Sequence, residues 1–309
     1  MACEKSAKKP VRLYPALATV IPNDTQLLAG LQVEKLKKTP YWKRLVEERK
    51  QPALDRFAGQ TGIDLRQNVY ELVFASNGEN NGGDSVLMAS GKFSTQKSFL
   101  GQSTKEMQPH TQIQGERMAN IPYHGQVLIG NENSAMWFVN NATAFAGRTA
   151  ALRRVIDLRE KAPLPPQALL DALETLPVDD HFWFVSTLPI DRTLPEFNLG
   201  GMGKMKSIPV KVDRILGSAA LTNGFKLRVR IESSDAKSLE QMGAALRGLI
   251  GIGRLTTAQD KPEMLQFYDG IQVLPDRGAL KVEMNLPDEL VEQFLDAATS
   301  SRPGSRPRD

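Results

Sequence analysis

Along most of the chain, apolar and polar positions alternate in short blocks that end at turn residues. "NVYELVFAS" (68–76) and "SVLMASGKF" (85–93) are strand-length runs joined by "NGENNGGD", whose Asn, Asp and Gly content predicts a hairpin. Thr25–Val33, after the "PND" turn, reads as an earlier strand. "GQVLIG", "SAMWFV", "TAFAG" and "HFWFVSTLP" supply further strands. "RILGSAALT" and "FKLRVRIE" flank Asn223-Gly224, the pair favoured in a two-residue type I′ turn. "GIQVL" and "ALKVEMN" flank "PDRG" in the same way.

Helical periodicity fills the gaps. Thr39 is placed to cap a helix with Pro40 in its first turn, where the missing N–H costs nothing. Leu54, Phe57 and Ala58 recur at helical spacing before Gly59 and Gly62. "STQKSFLGQSTKEM" reads as a helix capped by Ser94 or Thr95. In 148–161, Leu152, Val155, Ile156 and Leu158 lie near one face and Arg and Glu cover the other. Gln167–Leu176 is a further helix. "SSDAKSLEQMGAALRGLIGIGRL" is a long one capped at Ser233 or Ser234, with Gly243, Gly248 and Gly251 read as close-packing positions before a C-cap. Pro287 opens the last helix.

The order is strand, turn, strand, helix, several times over. It predicts an α+β fold of repeated β–β–α units, with antiparallel sheet and helices packed on one face. Three prolines in "APLPPQ" (162–167) mark a seam. The expected division is a tail at 1–10, α+β halves at 11–162 and 163–298, and a polar, basic tail at 299–309.

Composition narrows the function. A chain of 309 residues with 41% hydrophobic and 24% charged residues is globular. A net charge of +4, from 39 basic and 35 acidic side chains, is too dilute to predict a nucleic-acid partner. No apolar run approaches the length of a membrane-spanning helix. The single cysteine, Cys3, forms no internal disulfide and excludes thiolate-rich zinc sites.

"NLGGMGKMKSIP" (198–209) invites comparison with a phosphate-binding loop. Gly203-Lys204 supplies the Gly-Lys pair. Asn198 stands where the first glycine belongs, Met205 replaces the hydroxyl residue, and no helix start follows. What remains is a candidate partner-contact loop. Phe197, Leu199, Met202 and Met205 offer adaptable apolar surface beside Lys204 and Lys206, for another protein or a membrane surface.

His110, His124 and His181 sit in separate contexts with no ligand spacing around them. Asp179-Asp180 reads as turn chemistry rather than an acid/base pair. Lys35, Lys37, Lys38, Lys43 and Arg44, diluted by Glu34, Glu47 and Glu48, read as a solvated face. Trp137, Phe138, Phe182, Trp183 and Phe184 read as core, and Tyr41 and Trp42 as partly exposed. No catalytic, cofactor or metal residues are assigned. Cys3 follows a small residue and precedes a polar stretch, as a lipid-attachment cysteine does. That reading requires a signal segment upstream of it.

"YPALATVIPNDTQLLAGLQVEKLKKTPYWKRL", "LPPQALLDALETLPVDDHFWFV" and "GIQVLPDRGALKVEMNLPDELVEQFL" resemble segments of a loose group of bacterial envelope proteins, often lipoproteins. The resemblance carries no catalytic motif. It implies a periplasmic or membrane-anchored location and supports lipidation of Cys3. Without a signal segment, the expected location is cytoplasmic. The expected function is a non-enzymatic binding or structural module of the envelope. The alternative is an enzyme or small-ligand-binding protein whose site lies between the two halves.

Overall fold

The computed structural model describes residues 13–48, 51–61, 64–78, 85–93, 112–113, 116–161, 166–189, 210–258 and 261–300. The chain divides into two compact units, Met1–Leu188 and Pro189–Asp309. Both are mixtures of helix and antiparallel sheet, as the alternating pattern predicts.

In the first unit the strands are β1 (Leu27–Leu31), β2 (Val69–Ser76), β3 (Ser85–Gly91), a two-residue pair β4 (Gln112–Ile113) and β5 (Glu116–Arg117), β6 (Ala119–Tyr123), β7 (Gln126–Gly130), β8 (Ser134–Asn140), β9 (Thr143–Arg148) and β10 (Phe182–Ser186). Apart from the short β4–β5 pair, they form an antiparallel sheet in the order β10-β1-β2-β3-β9-β8-β7-β6. The helical elements are α1 (Pro15–Ala18), α2 (Val33–Leu36), α3 (Pro40–Trp42), α4 (Pro52–Thr61), α5 (Leu65–Asn68), α6 (Thr149–Glu160) and α7 (Gln167–Glu174). The chain runs on from α3 through one π-helical stretch, Lys43–Glu47. Thr39 caps α3 as expected, accepting the Trp42 N–H at 3.4 Å.

Because side chains alternate across a strand, register sorts the sheet into two faces. The inner face carries Leu28, Val73, Ala75, Val86, Met88, Trp137, Phe145, Trp183 and Val185, all buried. The apolar stripe of α6, Leu152, Val155 and Ile156, is buried, and α6 packs on β8 and β9. The Arg159 guanidinium stands over the Trp137 ring at 5.1 Å. In β1, Gly30 pairs with Trp183, and the indole lies where a Cβ on Gly30 would be.

Two expectations are corrected here. Helices do not keep to one face. Val33, Trp42, Leu65 and Phe93 pack on Leu31, Leu72, Ala89, Ala144 and Phe138, which point away from the inner face. The chain leaving β1 at Val33 folds over the other side and covers part of it. The boundary also moves. Strand β10 pairs with β1 over its full length, so Phe182–Ser186 belong to the first unit. The division falls after Leu188 rather than at 162/163, because long-range pairing outweighs a local proline cluster.

The second unit contains β11 (Arg214–Thr222), β12 (Gly224–Glu232), α8 (Ala236–Thr256), α9 (Pro262–Asp269), β13 (Ile271–Asp276), β14 (Ala279–Leu286) and α10 (Asp288–Ser300). Its sheet order is β13-β14-β12-β11. Ile215, Ile231, Leu280, Val273 and Leu286 are buried on the inner face. Helix α8 packs on β13 and β14, and α10 on β12.

Asp235, rather than Ser233 or Ser234, caps α8, accepting the Lys237 N–H at 3.1 Å. The Ser233 hydroxyl is engaged with the Lys211 carbonyl at 2.7 Å. Gly243 lies close to Leu280 as expected, but Gly248 and Gly251 face open space, and Gly253 is the glycine packed tightly, on Tyr268. The Asn223-Gly224 turn is not type I′. Gly224 has φ +97 while Asn223 is absent from the positive-φ residues, and the ladder closes at Thr222↔Gly224. A Cβ on Gly224 would meet the backbone of Leu286, so close approach of the β14 end selects glycine here.

Gly30→Ala should destabilise the first unit by roughly 2 kcal/mol or more through overpacking against Trp183. Urea unfolding followed by tryptophan fluorescence measures it. Adding Trp183→Leu should recover part of the loss, since the two changes share one clash.

Candidate functional site

The outer face of the first sheet is apolar where it is not covered. Following the register from β10 to β8, one cross-strand row reads Phe184, Ala29, Phe74, Leu87, Ala146 and Met136. Phe74 is 36% and Leu87 40% exposed, and the other four are half-buried. The row closes at Ile129, which is buried. One side of it is bounded by the covered row of Leu31, Leu72 and Ala89. The other side is bounded by Leu27, Ser76 and Ser85. Arg148, paired with Ser134, is the one charged side chain among the described strand residues of this face. With strands ~4.8 Å apart, the small side chains of Ala29 and Ala146 sit ~14 Å from each other. They leave two shallow dips between the larger residues.

On β12 and β14 the second unit has the opposite kind of outer face, while on β11 that face carries buried Leu216, Ser218 and Ala220. On β12 and β14, Lys226, Arg228, Arg230, Lys281 and Glu283 occupy it in the alternation expected of a solvated antiparallel sheet. Its signs are mixed. Arg230 pairs with Glu232 and with Asp276, Lys281 approaches Asp276 at 3.1 Å, and Arg214 meets Glu232 at 2.6 Å. Hydrogen bonds from Arg230 and Lys281, with the Arg277 N–H, lower the Asp276 carboxyl to about 2. Exposed apolar residues in this unit include Leu274 and, on α8, Ile252 and Leu255. On α8 they adjoin the Arg254–Asp269 ion pair and form no cross-element row.

The residues singled out from the sequence fall as follows. Cys3 and the loop residues Phe197, Leu199, Met202, Lys204, Met205 and Lys206 lie outside the described residues, as do His110 and the helix expected at 94–107. His181 is buried, and burial lowers its pKa. Asp180 is buried while Asp179 is exposed, so the adjacent carboxylates diverge. The basic stretch is less solvated than its composition implies. Lys35 Nζ bonds the Val178 carbonyl and Lys37 Nζ the Val69 carbonyl, the latter at 3.1 Å. Tyr41 is buried rather than partly exposed, and Trp42 is half-buried. Trp137 and Trp183 are core, but Phe138, Phe182 and Phe184 lie on the outer face. Phe74 and Leu87, the exposed centre of the row, carry no distinguishing signal in the sequence, because a strand of apolar letters does not say which face will be covered. No helix among the described residues is long and apolar enough to cross a membrane.

No protein-family model matches the chain, and no curated protein matches it. Among solved structures, crystal form III of TP0453 is similar in fold, with a TM-score of 0.52 at 8% identity over 91% of this chain and 97% of that one. Crystal forms I and IV of TP0453 give TM-scores of 0.45 and 0.47 at 9% and 10% identity, over 91% and 90% of this chain and 96% and 95% of theirs. At such identities the likeness concerns the fold alone.

Leu87 and Met88 are neighbours on opposite faces and separate surface from core. Leu87→Thr should change unfolding stability by no more than about 0.5 kcal/mol and reduce binding of an apolar dye to the native chain. Met88→Thr, at a fully buried position, should cost about 2–4 kcal/mol. Asp276 gives a pH test. Its folded carboxyl titrates at about 2, below the ~3.9 of an unfolded aspartate. The stability it adds is therefore present above pH ~4 and lost as pH falls toward 2. The gap in urea midpoint between the parent chain and Asp276→Asn should shrink over that window.

Proposed function

We propose that the chain is a non-enzymatic binding module of the bacterial envelope, tethered through a lipid on Cys3, that offers the outer sheet face of its first unit to another protein. The uncovered row Phe184–Ala29–Phe74–Leu87–Ala146–Met136 carries this reading. An apolar patch at the centre of a face is a liability for an isolated chain and an asset for a complex. Its chemistry favours one class of partner. A membrane-surface site uses Lys and Arg around an apolar face, whereas among the described strand residues Ser76, Ser85 and Ser134 border it with one cation, Arg148. A nucleic-acid site needs a basic stripe. A neutral face with two shallow dips suits the uncharged side of a protein helix lying across the strands, its larger side chains filling the dips at Ala29 and Ala146. The β–β–α order of β11–β12–α8 and β13–β14–α10 is read as a repeated unit within the same plan.

The test places a photoreactive side chain at Leu87 of the full chain, and as a control at exposed Thr222, in the cell that makes the protein. A discrete adduct with a different protein is expected at 87 and not at 222. It should be lost on Phe74→Asp or, should that variant misfold, on Met136→Glu. The proposal is overturned by no adduct, by an adduct of two copies of this chain, by equal adducts at both positions, or by patch-dependent flotation of the pure chain with phosphatidylcholine vesicles.

A further inference from the structure

The hairpin joining β6 to β7 turns at His124-Gly125, with φ +45 and +71. Positive φ at both central residues is the mark of a type I′ turn, where Asn-Gly or Asp-Gly is usual. Outside glycine the left-handed region is uncommon, and histidine is among the few residues enriched there, with asparagine and aspartate. The turn aims the imidazole at α6. His124 Nδ1 lies 3.1 Å from Glu160 Oε2 and 3.5 Å from Asp157 Oδ1. Asp157 and Glu160 are three residues apart on one helix and so share a face. One donor atom from each of the three residues lies within 4.8 Å of the other two.

We infer that His124, Asp157 and Glu160 form a binding site for a divalent transition-metal ion of the zinc class. Four donors set tetrahedrally at the usual zinc bond lengths stand ~3.4 Å from one another. The imidazole nitrogen already holds that spacing to both carboxylates. One nitrogen and two carboxylate oxygens match zinc, cobalt or nickel better than the all-oxygen cages of calcium or magnesium. Two carboxylates with a neutral imidazole bring a charge of −2, which a divalent ion neutralises. The surroundings hold the ligands as an outer shell does. The Tyr123 hydroxyl donates to both Asp157 oxygens, at 2.9 and 3.0 Å, and that bond raises its own pKa. The Tyr123 ring stacks on the His124 ring at 4.5 Å and 6°, and the Arg153 guanidinium covers Tyr123 at 5.3 Å. The three ligands are about half exposed, so water completes the coordination and the ion exchanges with solvent. In the first unit's sheet β6 is an edge strand, and the ion staples its turn to α6. The site is independent of the apolar face.

The test uses the full chain without added histidine tags, titrated with Zn²⁺ by calorimetry and with Co²⁺ by visible absorption. One Zn²⁺ per chain is expected, with a rise in melting temperature and the cobalt d–d bands of a four- or five-coordinate N/O site. His124→Asn keeps a residue that the turn accepts and removes the nitrogen ligand. It should weaken binding at least tenfold and abolish both the cobalt bands and the thermal shift. Glu160→Gln, which keeps the turn and the imidazole, should also weaken binding. No binding at millimolar Zn²⁺, or binding that His124→Asn leaves unchanged, as an ion held elsewhere on the chain gives, overturns the inference.

Discussion

The first unit is organised around a carboxylate that has no access to water. Glu71 is fully buried on β2, on the covered face of the sheet. Taking an ionised carboxylate out of water costs several kcal/mol unless hydrogen bonds replace its hydration. Here the Tyr14 backbone N–H donates to Oε2 at 3.0 Å, and Gln32 Nε2 donates to Oε1. The two donors come from just before α1 and just after β1. Satisfying Glu71 therefore pins the lead of the chain over the inner face and fixes how the chain leaves β1. Glu71 pairs across strands with Ser90, and Ser90 with Thr143, both buried, and their hydroxyls find no partner among the described residues. This polar row within an apolar face makes the position of the covering segment specific, because a sliding segment would leave a buried carboxyl group without these donors.

Once the inner face is closed, the outer face is left with whatever the alternation places there. Strand β2 shows the consequence. Its glutamate points into the core, and its Phe74 points outward. A reader of "VYELVFAS" who sends polar letters to solvent obtains the wrong face for both. The existence of the strands was legible, since strand-length apolar runs between turn residues have few other uses. Facing was not legible, because both residue sets of these strands are largely apolar and burial is decided by segments distant in sequence. The same limit explains the boundary. The prolines at 162–167 are a local signal, while the pairing of Gly30 with Trp183 joins positions far apart in the chain.

The cluster of His124, Asp157 and Glu160 is half visible in the sequence. Asp157 and Glu160 stand at helical spacing on a helix the periodicity identifies, and "HG" is a turn dipeptide between two strand-like runs. What no local window contains is the approach of that turn to that helix. The turn chemistry was also transposed. The favoured Asn223-Gly224 pair does not use the type I′ geometry, whereas His124-Gly125 shows its positive φ values at both residues. Propensity is a preference measured in the absence of competing contacts. At Gly224 the backbone of Leu286 decides the conformation, and at His124 the acceptors on α6 do.

The two outer sheet faces argue together for where function lies. In the second unit, alternation places Arg, Lys and Glu of mixed sign on the outer face of β12 and β14. In the first, substituting Thr or Ser at Phe74 or Leu87 would leave the inner packing untouched, since these side chains face away from it. The inner packing thus does not depend on them. An exposed phenylalanine and leucine on a sheet face invite nonspecific association. The structure needs Glu71 inward and does not need Phe74 outward, and this asymmetry separates the residues that hold the fold from those it leaves exposed.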